Sequence, residues 1–120
     1  MAVILVVDDA QTDRELMARV VNGSGHRAIL AADGKEAIAM AKQHKPSLIF
    51  LDVVMPLMDG FATCRHLRKD PETAQIPVVL VTSKATESDV FWGKKQGATE
   101  HVGKPWSPSA IEAMIKRYCR

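Results

Sequence analysis

Long runs of any one character are missing from this 120-residue chain. No run of five or more basic residues occurs; 16 Lys and Arg are interleaved with 14 Asp and Glu, for a net charge of +2. A nucleic-acid footprint is therefore not expected. The apolar runs are short and none approaches a membrane span. The first of them, Val3–Val7, lacks a basic flank and leads straight into Asp8-Asp9, which makes it a strand rather than a signal peptide. Cysteine is scarce: Cys64 and Cys119 fall inside helical patterns and have no metal-ligand spacing. That pattern excludes a disulfide framework and predicts two buried or half-buried thiols in a reducing, cytoplasmic setting. Repeats, low-complexity tracts and interdomain linkers are also absent. Residues 1–120 are expected to form a single domain, large enough for a two-sided sheet and its helices, with no output domain.

The residues present describe an ordinary globule, 47% apolar and 25% charged. Strand-like runs alternate with amphipathic helical stretches, the pattern of a parallel sheet covered on both faces. The strand candidates are Val3–Val7, Ile29–Ala31, Leu48–Leu51, Val78–Val81 and Glu100–Val102. The first, third and fourth are apolar throughout, as central strands are; the second and fifth are shorter and more polar, as at an edge or beside one. Leu16, Met17, Val20 and Val21 form one helical stripe, and Ala37, Ile38 and Ala41 a second. A third carries Phe61, Cys64 and Leu67, and the last Ile111, Met114, Ile115 and Tyr118. Ser107-Pro108 marks the start of that last helix. The helix around Ser88–Gln96 is the weak one, because Gly93 in its middle costs roughly 1 kcal/mol of propensity.

Chemistry gathers where strands end. Asp8 and Asp9 follow the first run, Asp52 the third, Thr82 closes the fourth, and Lys104 lies just past the fifth. Singly, each has an ordinary reading: a turn-forming Asp52, helix-capping Asp8 and Asp9, a surface Lys104, a strand-filling Thr82. Together they lie on the carboxyl edge of a parallel sheet, where ligands bind. Clustered acids repel one another unless a hard cation intervenes, and Mg²⁺ takes carboxylates while keeping waters that a phosphate can replace. Asp52 is the candidate nucleophile, since a carboxylate can form an acyl phosphate. Mg²⁺ between Asp9 and Asp52, the Lys104 ammonium and the Thr82 hydroxyl would supply the charge neutralisation that phosphoryl transfer needs.

The pair Asp8-Asp9, the string Asp52-Val-Val-Met-Pro-Leu-Met-Asp-Gly60, Thr82 and Lys104-Pro105 together resemble the receiver domain of two-component response regulators, of the stand-alone chemotaxis type. The resemblance covers the whole chain. It implies an α/β, flavodoxin-like, doubly wound five-stranded parallel sheet in the order 2-1-3-4-5, with five helices on two faces. It also implies a phosphorylation-dependent switch. Asp52 would be the phosphoacceptor; Asp9, Asp52 and the Val54 carbonyl would hold Mg²⁺, with Mn²⁺ able to substitute, and Asp8 would act through a bound water. Thr82 and Lys104 would contact the phosphoryl group, and the Lys104–Pro105 peptide would be cis. Pro56 would end the third strand and turn the chain, and Gly60 would adopt a backbone conformation that other residues resist. The implied partners are a histidine kinase of a chemotaxis-like system and a downstream protein on the helix 4, strand 5, helix 5 face, without nucleic acid or membrane. The product would either signal through contacts or drain phosphate from a kinase.

Some positions depart from that family. His101 stands where Tyr or Phe is usual, and its ring would fill the switch space less completely. Ser83 follows Thr82 in place of Ala, and Val54 and Lys84 flank the path of hydrolytic water. Val90–Ala98 resembles receivers that serve twitching motility and type IV pili, with Trp92 either folded on the domain or contacting a partner. A flavodoxin-like electron carrier fits poorly, because Asp8-Asp9 would repel a flavin phosphate. An aspartate-nucleophile phosphatase wants an acid where Val54 stands. A degenerate receiver that binds partners without phosphorylation is the remaining alternative.

Overall fold

Val, Ile and Leu dominate Val3–Val7, Leu48–Asp52 and Val78–Thr82, and such residues pack well on both faces of a pleated sheet. In the computed structural model, which describes residues 1–119, these are strands β1, β3 and β4. In chain order the elements are β1 (Val3–Val7), α1 (Gln11–Gly23), β2 (Arg27–Ala31), α2 (Gly34–His44), β3 (Leu48–Asp52) and α3 (Gly60–Lys69). They continue as β4 (Val78–Thr82), α4 (Glu87–Lys95), β5 (Glu100–Gly103) and α5 (Pro108–Tyr118). All strand pairs are parallel, in the order β2-β1-β3-β4-β5. The polar strands β2 and β5 are indeed the edges. Each predicted strand is present, and β3, β4 and β5 run one residue further than expected, through Asp52, Thr82 and Gly103.

Because side chains alternate across a strand, each strand feeds two cores. Leu5, Val7, Ile49, Leu51, Val78 and Leu80 meet Ala37 and Ala41 of α2 and Cys64 and Leu67 of α3. Ile4, Val6, Leu48, Phe50, Val79 and Val81 meet Met17 and Val21 of α1 and Ile111 and Ile115 of α5. A one-residue slip of any central strand would exchange these sets, so the register is strongly specified. Cys64 and Cys119 are free and buried. Among the described residues no helix is long and apolar enough to cross a membrane.

Local chemistry starts the helices. Asp33, Asp59 and Ser107 cap α2, α3 and α5 by accepting from Glu36 N, Ala62 N and Ala110 N at 2.7, 2.8 and 3.2 Å. The stripe on α1 differs from the expected one: Met17, Ala18 and Val21 are buried, whereas Leu16 is exposed and Val20 only partly covered. Leu16 and Val20 instead line an open groove with Trp106 and Pro108.

The helix expected to be weak is firmly held at both ends. Thr86 and Asp89 form a reciprocal capping box at its start, and the helix stops at Lys95. Gln96, expected inside it, is a buried C-cap residue whose Oε1 accepts from Arg65 Nη1 at 2.7 Å. Gly93 lies close against the sheet: a Cβ there would lie 2.9 Å from Leu80 Cδ1, so the tip of that side chain would have to shift. Periodicity alone shows only the propensity loss, and the close approach to the sheet is a tertiary fact.

Candidate functional site

The register sets the site. Val7 pairs with Leu51, Asp52 with Val81, and Thr82 with Gly103, so Asp8-Asp9, Asp52, Thr82 and Lys104 arrive together at one sheet edge. Carboxylate oxygens of Asp8, Asp9 and Asp52 lie within 4.8 Å of one another. Asp8 and Asp52 are buried and Asp9 is exposed. The capping reading of the acidic pair does not hold, because Ala10 is the N-cap of α1 and neither acid caps it from that position. Asp8 Oδ1 accepts instead from Ala10 N at 2.9 Å, and the Asp8 carbonyl accepts from Arg14 Nη1 at 2.8 Å.

Lys104 reaches back into this cluster. Its Nζ lies 3.1 Å from Asp8 and 3.6 Å from Asp52. The Lys104–Pro105 peptide is cis, and Lys104 N donates to the Thr82 carbonyl at 3.0 Å, anchoring the turn to β4. Burial, and then the Asp8 charge, push the Asp52 carboxyl up to about 6, against the pull of Lys104 and the Val54 amide. The Lys104 amine is partly desolvated, which opposes its charge, yet Asp52 and Asp8 outweigh that and its proton is held more tightly than usual. This is an acid cluster that one lysine leaves under-neutralised. Three convergent carboxylates and a raised acid constitute the environment a hard divalent cation would relieve.

Thr82 is fully buried. Its Oγ1 accepts from Lys84 N at 3.1 Å, which leaves its own O–H proton free to donate. His101 sits on β5 opposite Leu80. Its Nε2 donates to the Lys84 carbonyl at 2.8 Å, while Nδ1 is buried without a partner. Two expectations about the β3–α3 loop are corrected. Pro56 does not end β3, which stops at Asp52; it opens a tight turn in which Met58 N donates to the Pro56 carbonyl at 2.8 Å, with Leu57 at φ 70°. Gly60 has no left-handed backbone. Its lack of a side chain matters because a Cβ there would lie 2.3 Å from the Asp52 carbonyl oxygen.

Sequence reasoning overlooked Arg14 and Asp13. Asp13 Oδ2 lies 3.6 Å from Lys104 Nζ. Both follow the acidic pair on the first turn of α1, and that proximity was the available signal.

With this geometry established, residues 4–116 match the family described as response regulator receiver domain. The chain belongs to that family. This receiver is 43% identical over 105 residues to protein PilH of Pseudomonas aeruginosa, covering 88% of this chain and 87% of that protein. It is 38% identical to the alkaline phosphatase synthesis transcriptional regulatory protein PhoP of Bacillus subtilis, covering 98% of this chain. The receiver spans 48% of PhoP and 48% of the probable transcriptional regulator ycf27 of Porphyridium aerugineum, about half of each. In structure it is similar to chemotaxis protein CheY4 of Vibrio cholerae, with TM-score 0.93, 30% identity and 98% coverage of both chains. The receiver is thus a phosphorylation-dependent signalling module of two-component systems, with a regulatory fold.

Proposed function

We propose that Asp52 is the phosphoacceptor and that Asp8, Asp9, Asp52 and the Val54 carbonyl hold Mg²⁺, or Mn²⁺ in its place. The observation that carries this reading is the convergence of three carboxylates and the Lys104 ammonium around an acid raised to about 6. An ionised Asp52 oxygen attacks phosphorus as the P–N bond of a kinase phosphohistidine breaks, leaving an acyl phosphate on Asp52 and a histidine that regains a proton. Mg²⁺, when bound, supplies neutralisation of the transferring phosphoryl oxygens. Lys104 lends a second positive charge, and the Thr82 hydroxyl donates to a phosphoryl oxygen. His101 tunes how readily the loop after Thr82 rearranges.

The donor is a histidine kinase of a chemotaxis-like system, a reading supported by the likeness to CheY4 and PilH. The output surface is the α4, β5, α5 face, on which Phe91 and Trp92 stand exposed. The stretch Val90–Ala98 and the PilH likeness support a role in twitching motility. The receiver acts as a transmitter or a phosphate sink in the cytoplasm.

Intact-mass measurement after acetyl phosphate treatment tests the site. One added phosphoryl group is expected with Mg²⁺, none without a divalent cation, and none in Asp52→Asn. Equal labelling of Asp52→Asn would overturn the assignment. An unlabelled wild type that still binds partners through α4 and β5 would favour a phosphorylation-independent module.

A further inference from the structure

One ammonium serves three carboxylates in this site. Lys104 Nζ lies 3.1 Å from Asp8, and 3.6 Å from each of Asp13 and Asp52. Asp8 and Asp52 belong to the acid cluster, but Asp13 does not. It sits on the first turn of α1, where the helix N-terminus favours a negative charge. Lys104 is its one cationic partner among the described residues. The Asp13 carboxylate is about half exposed, on the wall of a groove of about 670 Å³ that it shares with Lys104, Leu16, Arg19 and Trp106. Its substitution therefore disturbs no core.

We propose that Asp13 is a positioning residue for Lys104: it holds the amine on the α1 side of the site and so favours the unphosphorylated state. The inference rests on the assignment of Asp52 as phosphoacceptor. A phosphoryl group on Asp52 adds negative charge and presents oxygens beyond the carboxylate, drawing the Lys104 amine toward itself. The ammonium has three protons but a single position. Each step it takes toward a phosphoryl oxygen weakens its pairing with Asp13. Asp13 thus competes with the phosphoryl group for one cation, and the equilibrium shifts only by the difference between the two states.

Beryllofluoride, a phosphoryl mimic that binds to a carboxylate, measures this without turnover. Titrations in saturating Mg²⁺ would use the Trp92→Phe background and follow Trp106 emission and backbone amide shifts. Asp13→Asn is expected to lower the half-saturating concentration roughly two- to fivefold, the range a partly exposed ion pair sustains. Asp13→Glu, which keeps the charge, should stay close to wild type. In a Lys104→Met background Asp13→Asn should change nothing, because the competitor for the amine is then irrelevant.

No change in Asp13→Asn, or weaker binding, would overturn the proposal. An equal gain in the Lys104→Met background would overturn it too, by showing that Asp13 merely repels the anion. A wild type that neither binds beryllofluoride nor accepts a phosphoryl group defeats the Asp52 assignment itself. A wild type that does both beside an unaltered Asp13→Asn defeats this inference alone.

Discussion

His101 donates its Nε2 proton to the Lys84 carbonyl at 2.8 Å, tying edge strand β5 to the loop that leaves Thr82. The Lys84 amide in turn donates to Thr82 Oγ1 at 3.1 Å. The ring and the hydroxyl are therefore joined through one residue's backbone, and a shift of either is felt by the other.

Replacing His101 with Phe keeps the ring and removes the bond. The Lys84 carbonyl loses its side-chain donor, but the buried, unpartnered Nδ1 goes with it, so the net loss of stability is expected to stay below about 1 kcal/mol. Amide exchange should accelerate from Ser83 to Asp89 and stay unchanged in β1. Uniform acceleration across the domain would show that the bond does not act locally.

Asp52 should make the protein pH-sensitive in an unusual direction. Its folded carboxyl lies near 6, against 3.8 as the ordinary value. The folded state thus binds the proton more tightly than the unfolded chain, and stability is lost as pH rises from about 4 through 6. Asp52→Asn removes that loss. It is expected to be more stable than wild type by about 1–2 kcal/mol at pH 7.5, a figure below the full shift because Lys104 loses a partner. The gain should vanish near pH 4 and shrink when Mg²⁺ is added to wild type. Denaturant unfolding at both pH values measures it, and an Asp52→Asn variant less stable at pH 7.5 would contradict the electrostatic account.

Two glycines should resist alanine for packing reasons. Gly60→Ala drives a methyl into the Asp52 carbonyl, 2.3 Å away on the rigid backbone. A loss of about 2 kcal/mol or more is expected, together with impaired phosphorylation. Gly93→Ala meets the tip of Leu80, 2.9 Å away in a full core. The roughly 1 kcal/mol that alanine adds to a helix should be cancelled there. A melting temperature raised by several degrees in Gly93→Ala would show that Leu80 yields easily.

Arg68 is the clasp of the opposite end of the sheet. From α3 it donates to the carbonyls of Gly97, Ala74 and Ile76 at 2.8, 3.1 and 2.6 Å, and to Thr99 Oγ1 at 3.3 Å. Arg68→Met retains the alkyl stem and strips these bonds, so about 2–3 kcal/mol should be lost. Lys is not expected to restore it, because its compact ammonium cannot span the fork of acceptors. Thermal unfolding of the two variants decides this, and a fully stable Arg68→Met would rule out the clasp.

What the residues alone determined here were the elements and which chemical groups stand where the strands end. Val3–Val7, Leu48–Leu51 and Val78–Val81 are short, together rich in β-branched residues, and apolar without interruption, a pattern that fits strands covered on both faces, and Asp8-Asp9, Asp52, Thr82 and Lys104 each stand at the end of a run. Those features are local, and local features are written in the chain. Spacing along the sequence does not encode distances across it. That Gly60 must be bare because a carbonyl lies against it, and that Gly93 lies close against the sheet, depend on surfaces brought together only by the fold. So does the placing of Asp13, 91 positions before Lys104 in sequence and 3.6 Å from its amine: no period links α1 to the turn after β5, and only the parallel register of the sheet brings their charges face to face.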